Sequence, residues 1–174
     1  MQVQTLKLND LQCPTPASSH HLAEALSSMP NLTDLTLAGK AFTEEFFSTL
    51  KAKASSIQVQ TLKLNDLQCP TPASSHHLAE ALSSMPNLTD LTLAGKAFTE
   101  EFFSTLKAKA SSIQVQTLEL NDVSCSTPAS SHHLAEALCS MPNLTDLTLV
   151  GEAFTEEFFS TLKAKASSIQ VCVS

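Results

Sequence analysis

Residues 29–37 read MPNLTDLTL, and the same nine letters return at 85–93 and 141–149. Leu35 and Leu37 in this stretch are separated by one polar residue, and Leu32 stands three places before Leu35. Side chains of a strand alternate between its two faces, so this spacing is typical of a short strand with one buried face. The stretch therefore predicts a short strand that occurs three times.

The repetition extends far beyond this stretch. Residues 3–58 return letter for letter as 59–114, and again with seven substitutions as 115–170. Each 56-residue unit divides into two halves of 28 residues that share one apolar skeleton. A fixed period of this size is typical of units that stack on each other rather than fold around one irregular core.

Each half-unit is predicted to hold a strand followed by a helix. After the strand the apolar spacing widens to three and four, as in Leu22, Leu26 and Met29, which is the stripe of an amphipathic helix. In the second half Thr43 is predicted to cap a helix that begins at Glu44. Short connections then require successive strands to lie parallel, with the helices as returns.

This skeleton resembles L-x-x-L-x-L-x-x-N-x-L, the motif of the leucine-rich repeat, and its length resembles the helix-containing class of ribonuclease inhibitor and the NOD-like receptors. The resemblance implies an α/β leucine-rich-repeat solenoid, a right-handed βα superhelix that forms a curved horseshoe segment. We expect a single domain over 1–174. Its six 28-residue repeats would be 3–30, 31–58, 59–86, 87–114, 115–142 and 143–170, with 171–174 as the start of a truncated repeat.

The ninth motif position departs from the family pattern. It is Asn or Cys in the family, whereas here it is Leu11, Lys40, Leu67, Lys96, Val123 and Glu152. The side chains that would bond the turn backbone are therefore missing. The turn amides are expected to bond water or neighbouring carbonyl groups instead.

The resemblance also implies a binding surface, because the concave sheet face of this family commonly binds protein. The third and fifth motif positions supply its candidate residues: Thr5, Lys7, Asp34, Thr36, Thr61, Lys63, Asp90, Thr92, Thr117, Glu119, Asp146 and Thr148. Parallel pairing would place six of them in a row with a step of about 4.8 Å. The chain has no Trp and no Tyr, the usual anchors of a tight protein interface.

Two functions follow from these features. The first is a non-enzymatic protein-interaction scaffold that binds a protein ligand through the concave face. The second is an engineered or recently amplified array with a mainly structural role, because two units are identical at every position. In that case Val171, Cys172 and Val173 would open an unfinished strand, and uncapped ends would form a homo-oligomer by strand pairing.

Other functions are disfavoured by composition and spacing. The net charge of −7 without a basic cluster argues against nucleic acid and anionic membranes as partners. Adjacent histidines such as His20 and His21 point about 100° apart on a helix, so a metal site is not expected. No catalytic residues and no cofactor are predicted. The chain has no apolar run of about 18 residues, and we expect it to be cytoplasmic.

The cysteines are expected to be free thiols. Cys13, Cys69 and Cys125 recur at one inward-facing position, two strands apart, and so too far from each other for a disulfide. Cys139 and Cys172 replace Ser and Gln of the other copies, and we expect both to be exposed and to form dimers under oxidising conditions.

Overall fold

The computed structural model describes residues 3–10, 15–39, 42–69, 71–95, 98–123, 127–151, 154–165 and 169–173. The strands in these residues are β1 Thr5–Leu8, β2 Asp34–Ala38, β3 Thr61–Asn65, β4 Asp90–Ala94, β5 Thr117–Asn121, β6 Asp146–Val150 and β7 Gln170–Val173. The α-helices are α1 Pro16–Ser27, α2 Glu44–Lys53, α3 Pro72–Ser84, α4 Glu100–Lys109, α5 Pro128–Ser140 and α6 Glu156–Lys165. Short 3-10 helices, Ala54–Ser56 and Ala110–Ser112, follow α2 and α4.

The strands form one parallel sheet, and their order in the sheet is their order in the chain. Equivalent leucines pair across the sheet, as in Leu35 with Leu62 and Leu62 with Leu91. A helix follows each of the first six strands, and consecutive helices from α1 to α6 pack on each other. The predicted α/β architecture, a leucine-rich-repeat-like solenoid of repeating βα units, is confirmed.

A single core lies between the sheet and the helix layer. The strand leucines fill it from one side, and Leu62 and Leu64 are each 1% exposed. From the other side, α2 and α4 fill it with phenylalanine pairs, such as Phe102 and Phe103, which are both fully buried. The buried residues form one continuous cluster from α1 to α6, so each repeat uses its neighbours to cover its apolar surface.

The turns after β3, β4 and β5 are held by backbone hydrogen bonds to the next repeat. The amides of Asp66, Gly95 and Asp122 donate to the carbonyls of Ala94, Asn121 and Val150, at 2.8–2.9 Å. This confirms, for the described turns, that neighbouring carbonyls replace the missing Asn side chains. At the ninth motif position Leu67 and Val123 are buried instead. Leu11, Lys40, Lys96 and Glu152 lie outside the described residues.

Threonines cap the described helices, with one exception to the predicted pattern. Thr99 and Thr155 accept hydrogen bonds from the amides of Phe102 and Phe158. Thr43 occupies the predicted N-cap position before Glu44, but the predicted cap bond is wrong, because its hydroxyl makes none and is buried without a hydrogen-bond partner in the described residues. The first-half helices begin with a Pro that follows the capping Thr. Proline suits this position because it lacks the N–H that would have no partner within the helix.

The cysteines in the described residues are free thiols. Cys69 packs against the core, and burial raises the pKa of its thiol to about 11, while a hydrogen bond with Ser75 acts in the opposite direction. Cys172 is exposed, as predicted, but Cys139 is partly buried against the core, so that prediction is wrong. The helix geometry turns position 139 towards the core edge. Cys13 and Cys125 lie outside the described residues.

Candidate protein-binding face

Two rows of polar side chains cross the sheet on the side away from the helices. Strand register places the first row in the order Lys7, Thr36, Lys63, Thr92, Glu119 and Thr148. The second row is Thr5, Asp34, Thr61, Asp90, Thr117 and Asp146. We call these twelve residues the sheet face. None of the twelve is buried.

The sheet face follows from strand alternation. Lys63 is exposed although it lies between Leu62 and Leu64, which are both in the core. A change of charge at such a position leaves the core intact, and this is where the third unit carries Glu119 instead of lysine. The fold therefore does not depend on which side chains occupy this row.

The aspartates of the second row are oriented by the threonine before each of them. The hydroxyls of Thr33, Thr89 and Thr145 donate to Oδ2 of the next residue at 2.7 Å in each case. These bonds fix the carboxylates at the start of the strands. Sequence reasoning missed them, although the Thr-Asp pair at 33–34, 89–90 and 145–146 was the available signal.

The two ends of the first row differ in how their charges are held. Glu119 accepts hydrogen bonds from Asn121 Nδ2 at 2.8 Å and from Thr92 Oγ1 at 3.4 Å. Within the described part of the chain, Lys7 and Lys63 form no ion pair with any side chain. Lys7 and Lys63, at one end of the row, therefore have no ion-pair partner among the described residues, whereas the Glu119 carboxylate towards the other end is held by hydrogen bonds.

A shallow depression of about 400 Å³ lies at the cationic end of the sheet face. Its lining residues are Thr5, Lys7, Asp34, Leu35, Thr36, Thr61 and Lys63. Asp34, Leu35 and Thr36 of this lining belong to β2, and the two lysines lie on the strands on either side of β2. A small polar group of a partner would fit this depression.

The paired histidines have a structural role in the helix layer. His76 Nδ1 lies 3.0 Å from Thr105 Oγ1, which connects α3 to α4, and His76 Nε2 lies 3.2 Å from Glu80 Oε2. His20 makes the equivalent contact with Thr49 at 3.0 Å, whereas the side chain of its neighbour His21 is 76% exposed. The contacts of His76 with Thr105 and of His20 with Thr49 join adjacent repeats, whereas the contact of His76 with Glu80 lies within α3.

In the part of the chain that the structure describes, no three side chains of His, Cys, Asp or Glu are grouped in a way that would hold a metal ion. No helix in the same part of the chain is both long enough and apolar enough to cross a membrane.

Glu80 is expected to make stability depend on pH. Its side chain is 18% exposed and pairs with Lys51 of the preceding helix. The hydrogen bond from Lys51 is the main cause that holds the pKa of Glu80 below its usual value, although desolvation opposes it. Because the folded pKa is lowered, this stabilisation is present above the unfolded pKa of about 4.3 and is lost as the pH falls through the folded value.

Glu80→Gln is therefore expected to lower the free energy of unfolding by about 1 kcal/mol at pH 7, with a smaller loss at pH 3. Urea unfolding at the two pH values measures this difference. Glu101→Gln is the matched control, because Glu101 is exposed and forms no ion pair within the described residues. An equal loss at both pH values for Glu80→Gln would contradict the lowered pKa assigned to Glu80.

Comparison with known proteins gives a partial match. No family model matches the chain. The chain is similar to the F-box protein SKIP17 of Arabidopsis thaliana, with 29% identity over 138 residues. The match covers 78% of this chain and 26% of that protein, so the chain spans about a quarter of the relative's length. The similarity and the repeated parallel βα arrangement together fit a repeat protein.

Proposed function

We propose that the chain is a non-enzymatic protein-interaction scaffold that binds a protein partner through the sheet face. The observation that carries this proposal is the sheet face itself, two in-register rows of unburied polar side chains on one continuous sheet. The similarity to an F-box protein supports a protein-interaction role. The finer assignments also belong to this proposal: one domain over 1–174, of the ribonuclease-inhibitor-like or NOD-like-receptor class, in the cytoplasm.

The size of the sheet face limits the affinity that it supports. The five steps of about 4.8 Å between its six strands give a width of roughly 24 Å, and five residues give a strand length of about 17 Å. The resulting area of roughly 400 Å² is below the 800 Å² or so that each partner contributes to a standard interface. With neither Trp nor Tyr in the chain, the face is suited to a weak or transient complex unless the flanking turns take part.

Site-specific photo-crosslinking tests the proposal. We expect a benzophenone amino acid at Thr92 or Thr148 to give a discrete crosslinked protein in an extract of the source organism. The same probe at Ala108, which is exposed on α4, is the matched control and should give none. Crosslinks from Ala108 alone would move the binding surface to the helix layer and overturn the proposal.

A second candidate function is a structural array that self-associates. The observation in its favour is that Val171 and Val173 of β7 are 38% and 60% exposed. Light scattering during size exclusion, in the presence of a reductant because Cys172 is exposed, separates the two candidates. A mass that rises with concentration, and falls in Val173→Lys, would favour the array. A monomer at every concentration favours the interaction scaffold.

A further inference from the structure

We propose that the cationic end of the sheet face is a clamp for one carboxylate, in which Lys7 and Lys63 hold an acidic side chain of the partner protein over Thr36. This inference rests on the proposed function and specifies the partner chemistry. It predicts a partner that presents an Asp or Glu side chain to β2 from an extended segment.

The positions of the three side chains support the clamp. Lys7 and Lys63 are the direct register neighbours of Thr36 on its two sides. The two lysines are therefore about 9.6 Å apart at the backbone, and each ammonium needs to lean about 4.8 Å to meet over Thr36. The Thr36 hydroxyl has no hydrogen-bond partner among the described residues, so it is free to donate to an anion held there.

Local charge selects a carboxylate over a phosphate. Asp34 also lines the depression, so two lysines and one aspartate give it a formal charge of +1. A carboxylate carries one negative charge, whereas a phosphoryl group carries about 1.5 to 2 at pH 7. A dianion would leave uncompensated charge beside Asp34. The clamp is therefore matched to an acidic side chain.

The third unit shows what the clamp requires. Thr92 has Lys63 on one side and Glu119 on the other, and its hydroxyl already donates to Glu119. A carboxylate placed over Thr92 would be repelled by Glu119. The same sheet position therefore binds an anion in the first half of the face and rejects it in the second half.

The clamp is tested with a blocked nine-residue peptide, Gly-Ser-Gly-Thr-Glu-Thr-Gly-Ser-Gly, titrated into the full chain and followed by nitrogen–proton NMR. We expect saturable shifts at the Thr36 amide and weaker binding at high salt, because the charges are solvent-exposed. The peptide with Gln in place of Glu should bind about three- to tenfold more weakly. Inorganic phosphate should bind no more tightly than the Glu peptide.

Two variants are expected to change binding of the Glu peptide in opposite directions. Lys63→Glu copies the residue of the third unit and should weaken binding of the Glu peptide about tenfold. Glu119→Lys should place a second pair of lysines around Thr92 and produce new saturable shifts at its amide. Both positions are unburied on the sheet, and retained helical circular dichroism confirms that each variant is folded.

Three results would overturn the clamp: equal binding by Lys63→Glu, tighter binding of phosphate than of the Glu peptide, or no shifts at Thr36. Its failure can be told from failure of the proposed function. If the peptide does not bind but crosslinks from Thr92 persist, the sheet face still binds protein by other groups. If crosslinks arise only from Ala108, the proposed function itself is wrong.

Discussion

Phe103→Ala is expected to lower the free energy of unfolding by about 3–5 kcal/mol, the loss typical of a buried phenylalanine. Phe103 is fully buried in α4, and its ring packs against Phe102 with centroids 5.4 Å apart at 78°. The helix has α3 on one side and α5 on the other. Neighbouring repeats therefore hold the cavity open and limit the relaxation that would reduce the loss.

The chain supplies a matched control in the same local sequence. Phe159 occupies the equivalent position of α6, and its ring also lies 5.4 Å from that of its neighbour Phe158. It is only partly buried, so Phe159→Ala should lose clearly less stability than Phe103→Ala. Urea unfolding followed by circular dichroism measures both. Equal losses would show that stability is local to each helix and does not depend on neighbouring repeats.

Gly95→Ala is expected to lower the free energy of unfolding by about 3 kcal/mol. Gly95 has a φ of +112°, a conformation that side chains rarely adopt and that costs roughly 2 kcal/mol. A Cβ here would also lie 2.9 Å from Asp66 Oδ1 and 3.1 Å from Asp66 Cα, which adds about 1 kcal/mol. The turn cannot open freely, because the Gly95 amide donates to the next strand.

A double-mutant cycle separates the contact with the Asp66 carboxylate from the rest of the loss. Asp66 has a φ of +50°, so Asp66→Gly is compatible with the backbone and removes the carboxylate contact. Gly95→Ala combined with Asp66→Gly should recover the part of the steric loss that comes from the Asp66 Oδ1 contact, whereas the backbone strain and the 3.1 Å contact with Asp66 Cα remain. A single Gly95→Ala variant within about 0.5 kcal/mol of the parent protein would contradict the strain assigned to this turn.

Much of the fold was predictable because the repeat imposes a single solution. Once Leu35 and Leu37 define a strand with one buried face, identical copies have to pair in register to share a core. The same period places Lys63 and Thr92 next to each other on the opposite side. The alternation of apolar and polar residues within each strand, together with the repetition of that strand along the chain, therefore determines the sheet and the placement of its polar rows.

The helix layer was less predictable, because its contacts depend on how neighbouring repeats are offset. Glu80 forms an ion pair with Lys51 of the preceding helix, and His76 contacts Thr105 of the following helix. Neither partner is visible from local spacing. Cys139 illustrates the same limit, since its sequence neighbours are exposed Ser and buried Leu and its burial is decided by packing between helices.

The proposed binding face requires one continuous parallel sheet with a constant step between strands. The most direct test is the distance between spin labels at Thr36 and Thr148, in a variant with all five cysteines replaced, measured by double electron–electron resonance. These residues are four strands apart in one row, so we expect a narrow distribution centred near 19 Å. A broad distribution at longer distances would mean that the three units fold separately and would contradict the account.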